Sequence, residues 1–178
     1  MSQWRVVPDG KIFFTTTTIV GWTYVFTSVP YFEAIMESLR YCLRNKRLHL
    51  HGYVIMPNHA HYIMSTDTER NLSDIMRDFG THTSREITRM LKEEGRDGIL
   101  DVFHEAAQQD GRGNDFKVWQ EGFRPVAIVS DKFFRQKLGY LHANPVRKGF
   151  VDHPEHWRYS SARNYILGDH SVIPVEIL

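Results

Sequence analysis

The sequence has little of three things, and each shortage excludes a class of protein. It has one cysteine, Cys42, which excludes an intramolecular disulfide and suits a reducing compartment. No apolar run approaches the roughly 18 residues that a membrane span requires. Residues 1–5 lack the apolar core of a signal peptide. We therefore expect a cytoplasmic protein with no membrane partner.

Net charge is also small, at +1, which excludes a chain that coats nucleic acid by bulk charge. The distribution is uneven, however. From Arg112 to Lys148 there are eight Lys and Arg against three Asp and Glu, and eight minus three gives a local excess of +5. A localised positive patch is typical of a partner with a phosphate backbone. From charge alone, an ordinary solvated face explains it equally well.

What the chain does have is a pair of extended runs rich in Tyr, Val, Ile and His, between His51 and Ser65, joined by the turn-forming pair Pro57-Asn58. In a strand, His59 and His61 would share one face, with their roots about 7 Å apart. Their ring nitrogens could then converge on one metal ion. Two solvated histidines on a surface strand are the alternative that this pattern leaves open.

The length of 178 residues and an apolar content of 42% are compatible with a single domain spanning residues 1–178. The patterns predict these elements in order: a strand at 11–20, a helix at 31–45, the two histidine-bearing strands, a helix at 72–94, a loop or insertion at 95–115, extended runs at 116–119 and 125–129, a helix from 131 to 144 that Pro145 ends, and a short helical tail within 153–178.

The helix predicted at 131–144 has a distinctive face. Phe133, Lys137, Tyr140 and Asn144 follow one another at spacings of four, three and four, so they share that face. Tyr140 and Asn144 are neighbours one turn apart. A core tyrosine whose hydroxyl reaches water is the alternative explanation of Tyr140.

Three segments in the same order resemble one family. The segment 54–61, Val-Ile-Met-Pro-Asn-His-Ala-His, resembles the His-hydrophobic-His motif of the single-tyrosine (HUH-type) transposases of the IS200-like superfamily. The segments 140–149 and 157–162 resemble the tyrosine segment and the closing segment of the REP-associated branch. The similarity extends over roughly residues 11–167.

This resemblance implies an α+β fold, an RRM-like (ferredoxin-like) sandwich with helices packed on an antiparallel sheet and the catalytic tyrosine on a third helix. It also implies an enzyme that cleaves and rejoins single-stranded DNA at hairpins, with a divalent ion, Mg²⁺ or Mn²⁺. Carried over by position, Tyr140 is the nucleophile that forms a 5′-phosphotyrosine link. His59 and His61 are metal ligands, and Asn144 is a third ligand.

The partner expected from this resemblance is hairpin DNA, bound by a monomer or a homodimer. The candidate DNA-binding residues come from the positive segment: Arg124, Lys132, Lys137, Arg147 and Lys148. Two other functions remain open. One is a non-catalytic RRM-like binder of single strands, in which Tyr53 and Tyr62 stack on bases. The other is a histidine-based phosphodiesterase without a covalent step.

Overall fold

The threonine-rich run near the start of the chain forms an inner strand of the sheet. The structure, a computed structural model, describes residues 11–67 and 71–178. In it the strands are β1 (Ile12–Thr18), β2 (Leu48–Met56), β3 (His59–Thr66) and β4 (Val126–Ile128). They form an antiparallel sheet in the order β2-β3-β1-β4. The predicted hairpin is confirmed, because only Pro57 and Asn58 separate β2 from β3.

Two long helices cover one face of this sheet, α1 (Val29–Asn45) and α2 (Leu72–Glu93). Each has apolar residues at three-and-four spacing, as predicted, and these residues are buried against alternate positions of the strands. On β3 those positions are Ala60, Tyr62 and Met64, all fully buried. The main hydrophobic core therefore lies between the sheet and these two helices.

A single long helix, α4 (Asp131–Arg147), lies against the opposite face of the sheet. Phe134 and Leu141 are its buried apolar residues, and they join a smaller core with the other face of β1 and β2. The helix approaches β2 closely at Gly52, where an added Cβ would lie 2.9 Å from Leu138 Cδ1. Glycine at this position thus leaves room for the helix to sit against the strand.

Two sequence predictions need correction, and the first concerns residues 95–115. A loop was expected there, but a helix, α3 (Asp97–Asp110), occupies most of the segment. Its buried residues Leu100, Phe103 and Ala107 recur at three-and-four spacing. Gly95 and Gly111 flank the helix with positive φ, whereas Gly98 and Asp101, which also suggested a loop, lie inside it.

The second correction concerns Pro145, which was expected to end the tyrosine helix but lies inside α4. Proline lacks an N–H and so removes one backbone hydrogen bond, and within the last turn this is a small loss. The helix ends instead with Lys148 N donating to Asn144 O at 3.1 Å. Residues 116–119 were expected to be an extended run that returns to the sheet, and Trp119 there forms an isolated bridge with Ile19.

The C-terminal part packs along the free edge of β2. Ile55 N donates to Tyr159 O, and Ser161 N donates to Tyr53 O, both at 2.9 Å. A short helix, α5 (Ala162–Leu167), follows. This segment therefore protects a sheet edge whose backbone groups would otherwise be unpaired. Within the described residues, no helix is both long and apolar enough to cross a membrane.

Candidate active site

The two histidines of β3 share one face of the sheet, as predicted. Their ring centroids are 5.0 Å apart and the ring planes are inclined at 74°. Both side chains lie between the sheet and α4, with only 7% of His59 and 6% of His61 exposed. The alternative of two solvated surface histidines is therefore wrong.

Tyr140 stands beside this pair. Its ring centroid is 5.2 Å from that of His61 and 6.1 Å from that of Phe14 on β1. Unlike the histidines, it is 39% exposed, so a substrate can reach it. Because α4 continues through Pro145, the turn from Tyr140 to Asn144 is intact, and Asn144 Nδ2 donates to Tyr140 O at 3.3 Å.

The ring of His61 has one partner and one open nitrogen. Nδ1 lies 2.7 Å from Thr16 Oγ1, whereas Nε2 is buried and has no hydrogen-bond partner among the described residues. Burial, together with the nearby His59 and Lys137, lowers the pKa of His61 to about 3, so the ring is neutral at neutral pH. A buried nitrogen without a partner is costly, and a bound cation would satisfy it.

A neighbouring amide fixes the tautomer of His59. Asn58 Nδ2 donates to Trp22 O at 3.0 Å, so the amide oxygen of Asn58 is the atom that faces His59 Nδ1, at 2.7 Å. An amide oxygen only accepts, so Nδ1 carries the proton and Nε2 keeps its lone pair. Burial and then Lys148 lower the pKa of His59, which favours the neutral ring that a metal requires.

Asn144 is the remaining member of the site. Its side chain is buried, and its amide lies close enough to His59 to influence the pKa of that ring. The structure therefore brings Asn144 next to the histidine pair. Among the described residues, no cluster of three His, Cys, Asp or Glu side chains could hold a metal. Two imidazoles and an amide are thus the donor set that this site offers, and they fit a divalent ion while leaving positions open for substrate.

The structure divides the eight basic residues of the positive segment. Arg112 and Lys117 pair with Asp110 and Glu121, and Arg135 pairs with Asp131. The five residues predicted to bind DNA form no ion pair with any residue that the structure describes: Arg124, Lys132, Lys137, Arg147 and Lys148.

Three of those five lie at the site. The Arg147 guanidinium is 5.3 Å from the Tyr140 ring centroid, and Lys137 Nζ is 6.0 Å from it. Lys148 acts electrostatically on His59. Lys132 is about 12 Å further along α4 from Tyr140, given a rise of 1.5 Å per residue. Arg124 and Lys132 are exposed, and no contact joins either of them to the tyrosine or the histidines.

Two tyrosines expected to stack on bases in the alternative binding function lie elsewhere. Tyr53 and Tyr62 are buried in the main core. That part of the alternative is wrong. His142, two residues after the tyrosine in sequence, points away from the site, and its Nε2 lies 2.8 Å from Ser161 Oγ.

Sequence reasoning missed three residues that shape the site, Thr16, Asn58 and Trp22. Thr16 lies in the threonine-rich run and pairs with His61 across the sheet, so antiparallel register identifies it only once the strand order is known. Asn58 is next to His59 in the sequence, but its place in the turn-forming pair Pro57-Asn58 explains it without a contact to the imidazole. Nothing in the sequence marks Trp22.

Comparison with known proteins adds a family and a fold to these observations. Residues 24–105 match the family model described as "Transposase IS200 like". This match confirms the predicted resemblance to the IS200-like transposases. It includes His59 and His61 and ends before Tyr140.

A solved structure supports the fold. The structure of a REP-associated tyrosine transposase bound to a REP hairpin aligns over 99% of this chain and 92% of that chain, with a TM-score of 0.63 and 20% identity. The predicted α+β fold with an antiparallel sheet is thereby confirmed. A transposase-like protein from Deinococcus radiodurans aligns over 79% of this chain and 93% of that chain, with a TM-score of 0.42 and 14% identity. No curated protein matches the sequence.

Proposed function

We propose that this protein is a metal-dependent endonuclease and strand transferase that cleaves and rejoins single-stranded DNA at hairpins. Tyr140 is its nucleophile, and the intermediate is a 5′-phosphotyrosine. The observation that carries the proposal is an exposed tyrosine whose ring centroid is 5.2 Å from a buried histidine with an unsatisfied Nε2.

In the first step, Tyr140 Oη attacks a phosphodiester phosphorus. The Oη–P bond forms and the P–O3′ bond breaks. Solvent reaches the exposed side chain of Tyr140 and takes the proton of the phenol. The departing O3′ gains a proton and becomes a 3′-OH. Arg147 and Lys137 flank the ring of Tyr140, so their charges would bind the phosphate oxygens as the nucleophile approaches.

A divalent ion bound by His59 and His61 Nε2 and the Asn144 amide oxygen would polarise the phosphoryl oxygens and orient the scissile group. The donor set includes two nitrogens, and Mg²⁺ prefers oxygen ligands, so we favour Mn²⁺ over Mg²⁺. The chain's contribution is to hold both imidazoles neutral. Thr16 and Asn58 orient the rings.

The second step reverses the first. The phosphotyrosine ester retains the bond energy of the cleaved phosphodiester, so a 3′-OH from the same or another strand can attack it. The P–O3′ bond forms again, the Oη–P bond breaks, and the tyrosine regains its proton. Strand transfer of this kind requires no ATP.

The proposed substrate is structured single-stranded DNA, because the similar solved transposase is bound to a REP hairpin. Lys137, Arg147 and Lys148, which pair with none of the acidic residues that the structure describes, add positive charge where the phosphate backbone would approach Tyr140. We propose Arg124 and Lys132 as contacts to the DNA further from the cut.

The test is a denaturing gel of the protein incubated with an imperfect DNA hairpin flanked by single strands. Wild-type protein should form a covalent protein–DNA adduct and a cleaved strand in Mn²⁺, and Tyr140→Phe should bind the hairpin but form neither. Tyr41→Phe, which alters an exposed tyrosine on α1, is the matched control. Cleavage without an adduct would instead indicate a histidine-based phosphodiesterase.

A further inference from the structure

Four aromatic rings form a row across the site. The centroid distances are 5.7 Å from Trp22 to His59, 5.0 Å from His59 to His61, and 5.2 Å from His61 to Tyr140. The two inner rings are buried, whereas the outer two are exposed, Trp22 at 57% and Tyr140 at 39%. The histidine pair is thus flanked by an accessible aromatic ring at each end, and the proposed reaction uses only one of them.

The backbone of Trp22 adopts a conformation that a bulky residue rarely takes. Its φ is 55°, and it follows Gly21, whose φ is 65°. Two hydrogen bonds fix it: Trp22 N donates to Ile19 O at 3.0 Å, and Trp22 O accepts from Asn58 Nδ2 at 3.0 Å. Strained backbone of this kind persists where the surroundings determine it, and it concentrates at functional sites.

The same Asn58 side chain accepts from His59 Nδ1. One amide therefore fixes both the backbone that carries the indole and the imidazole that is proposed to bind the metal. Within the described residues, His59 is the only ring that the indole contacts, and most of its surface faces solvent. A flat, exposed indole held beside a phosphate-binding site is suited to stacking on a nucleobase, because every base has a π-face.

The chemistry identifies which base this is. In phosphoryl transfer, the attacking and leaving oxygens are roughly in line with the phosphorus. The attacking oxygen belongs to Tyr140, so the leaving O3′ lies on the side of the phosphorus away from Tyr140. Trp22 is the ring of the row that is separated from Tyr140 by both histidines. We propose that Trp22 stacks on the base of the nucleotide immediately 5′ of the scissile phosphate, the one that departs with the 3′-OH.

This inference rests on the proposed covalent reaction and adds a role to it. After cleavage, the 3′-OH strand has no bond to the protein, whereas the other strand is attached to Tyr140. Stacking on Trp22 would keep the free 3′-OH near the phosphotyrosine. The residue would therefore position the leaving strand for rejoining, in addition to contributing to initial cleavage.

The test combines a protein variant with substrates that lack single bases. Trp22→Gly removes the indole, and glycine accepts a positive φ without strain, so the loop keeps its conformation. Cleavage and rejoining rates are measured by adduct formation and decay in Mn²⁺. The three substrates are intact, abasic at the position 5′ of the cut, and abasic at the position 3′ of the cut.

On the intact substrate, Trp22→Gly should reduce rejoining by about 5- to 150-fold, the range for loss of one base–aromatic stack. On the substrate that is abasic 5′ of the cut, Trp22→Gly should lower the rejoining rate little further. On the substrate that is abasic 3′ of the cut, it should lower the rejoining rate as much as on the intact substrate. Trp22→Phe, which keeps an aromatic ring, should restore most of the rate, and Tyr41→Gly controls for removal of an exposed aromatic residue elsewhere.

The outcomes separate this inference from the function on which it rests. Wild-type protein that forms no adduct on any substrate overturns both. Normal adduct formation with equal rejoining by wild type and Trp22→Gly overturns the role of Trp22 alone. An equal loss of rejoining rate on both abasic substrates also overturns the role of Trp22, because the indole would then act on protein structure rather than on the 5′ base.

Discussion

The two faces of β3 are almost equally buried but have different chemistry. Toward α1 and α2, the strand presents Ala60, Tyr62 and Met64, which are packed into the main core. Toward α4 it presents His59 and His61, where burial yields neutral imidazoles beside an exposed tyrosine. The two-residue period of a strand thus separates the residues that stabilise the fold from those proposed to carry the reaction.

The coverage of the two faces differs as well. Two helices of 17 and 22 residues close the first face. One helix crosses the second and brings Tyr140, Lys137 and Arg147 to the histidines. Changes on the first face should therefore alter stability with little effect on chemistry, and changes on the second should do the opposite.

The largest effect is expected on the face that is proposed to bind the metal. His61→Ala should reduce both Mn²⁺ affinity and cleavage by more than about 100-fold, since outer-shell partners of metal ligands alone contribute 10- to 100-fold. Electron paramagnetic resonance of free Mn²⁺ measures the affinity. His82→Ala, an exposed histidine on α2, is the control and should change neither. Full activity of His61→Ala in the presence of chelator would remove the metal from the account.

The next effect concerns His142, which anchors α4 to the C-terminal segment through Ser161. Burial lowers the pKa of His142 to about 4, against an ordinary value of 6.5. The unfolded chain therefore binds a proton at His142 more readily than the folded chain does. The contribution of His142 to the free energy of unfolding is present above pH 6.5 and is lost as the pH falls toward 4. This contribution is at most about 3 kcal/mol.

His142→Gln should make the free energy of unfolding less dependent on pH. Urea denaturation at pH 7 and at pH 4.5 measures the free energy of unfolding of both proteins. The wild type should lose more stability than the variant over this range. An equal loss in both proteins would mean that other groups are responsible.

A smaller effect is expected on the core face. Ile35 is fully buried on α1, and Ile35→Val should lower the free energy of unfolding by about 1 kcal/mol. Cleavage per folded molecule should stay unchanged, because the residue lies across the sheet from Tyr140. A cleavage defect out of proportion to the loss of folded protein would contradict the separation of the two faces.

The smallest effect concerns salt. Each phosphate contact contributes a log–log slope of about −0.7 in the dependence of single-strand affinity on salt. Lys137→Gln should therefore make the slope shallower by about 0.7 and slow cleavage as well. Arg44→Gln on α1, an exposed residue on the opposite side of the sheet, serves as control. Identical slopes in the two variants would shift the DNA-binding surface away from α4.

Much of this organisation could be predicted from the sequence, because its signals are local. Alternation in β3 predicted the shared histidine face, and helical spacing predicted that Tyr140 and Asn144 are neighbours. The helix α3 was missed because flanking Gly and Asp residues outweighed a short apolar pattern. Thr16 and Trp22 could not be found, because their proximity to the histidines depends on strand order and on a loop conformation.

The central claim is that Tyr140 becomes linked to the 5′ phosphate of the cleaved DNA. It is tested most directly by incubating wild-type protein with a hairpin labelled at either its 3′ or its 5′ end, digesting the adduct with protease, and mapping the DNA-bound peptide by mass spectrometry. The account predicts that only the 3′-end label stays with the protein and that the modified residue is Tyr140. Retention of the 5′-end label, or attachment to any other residue, would contradict it.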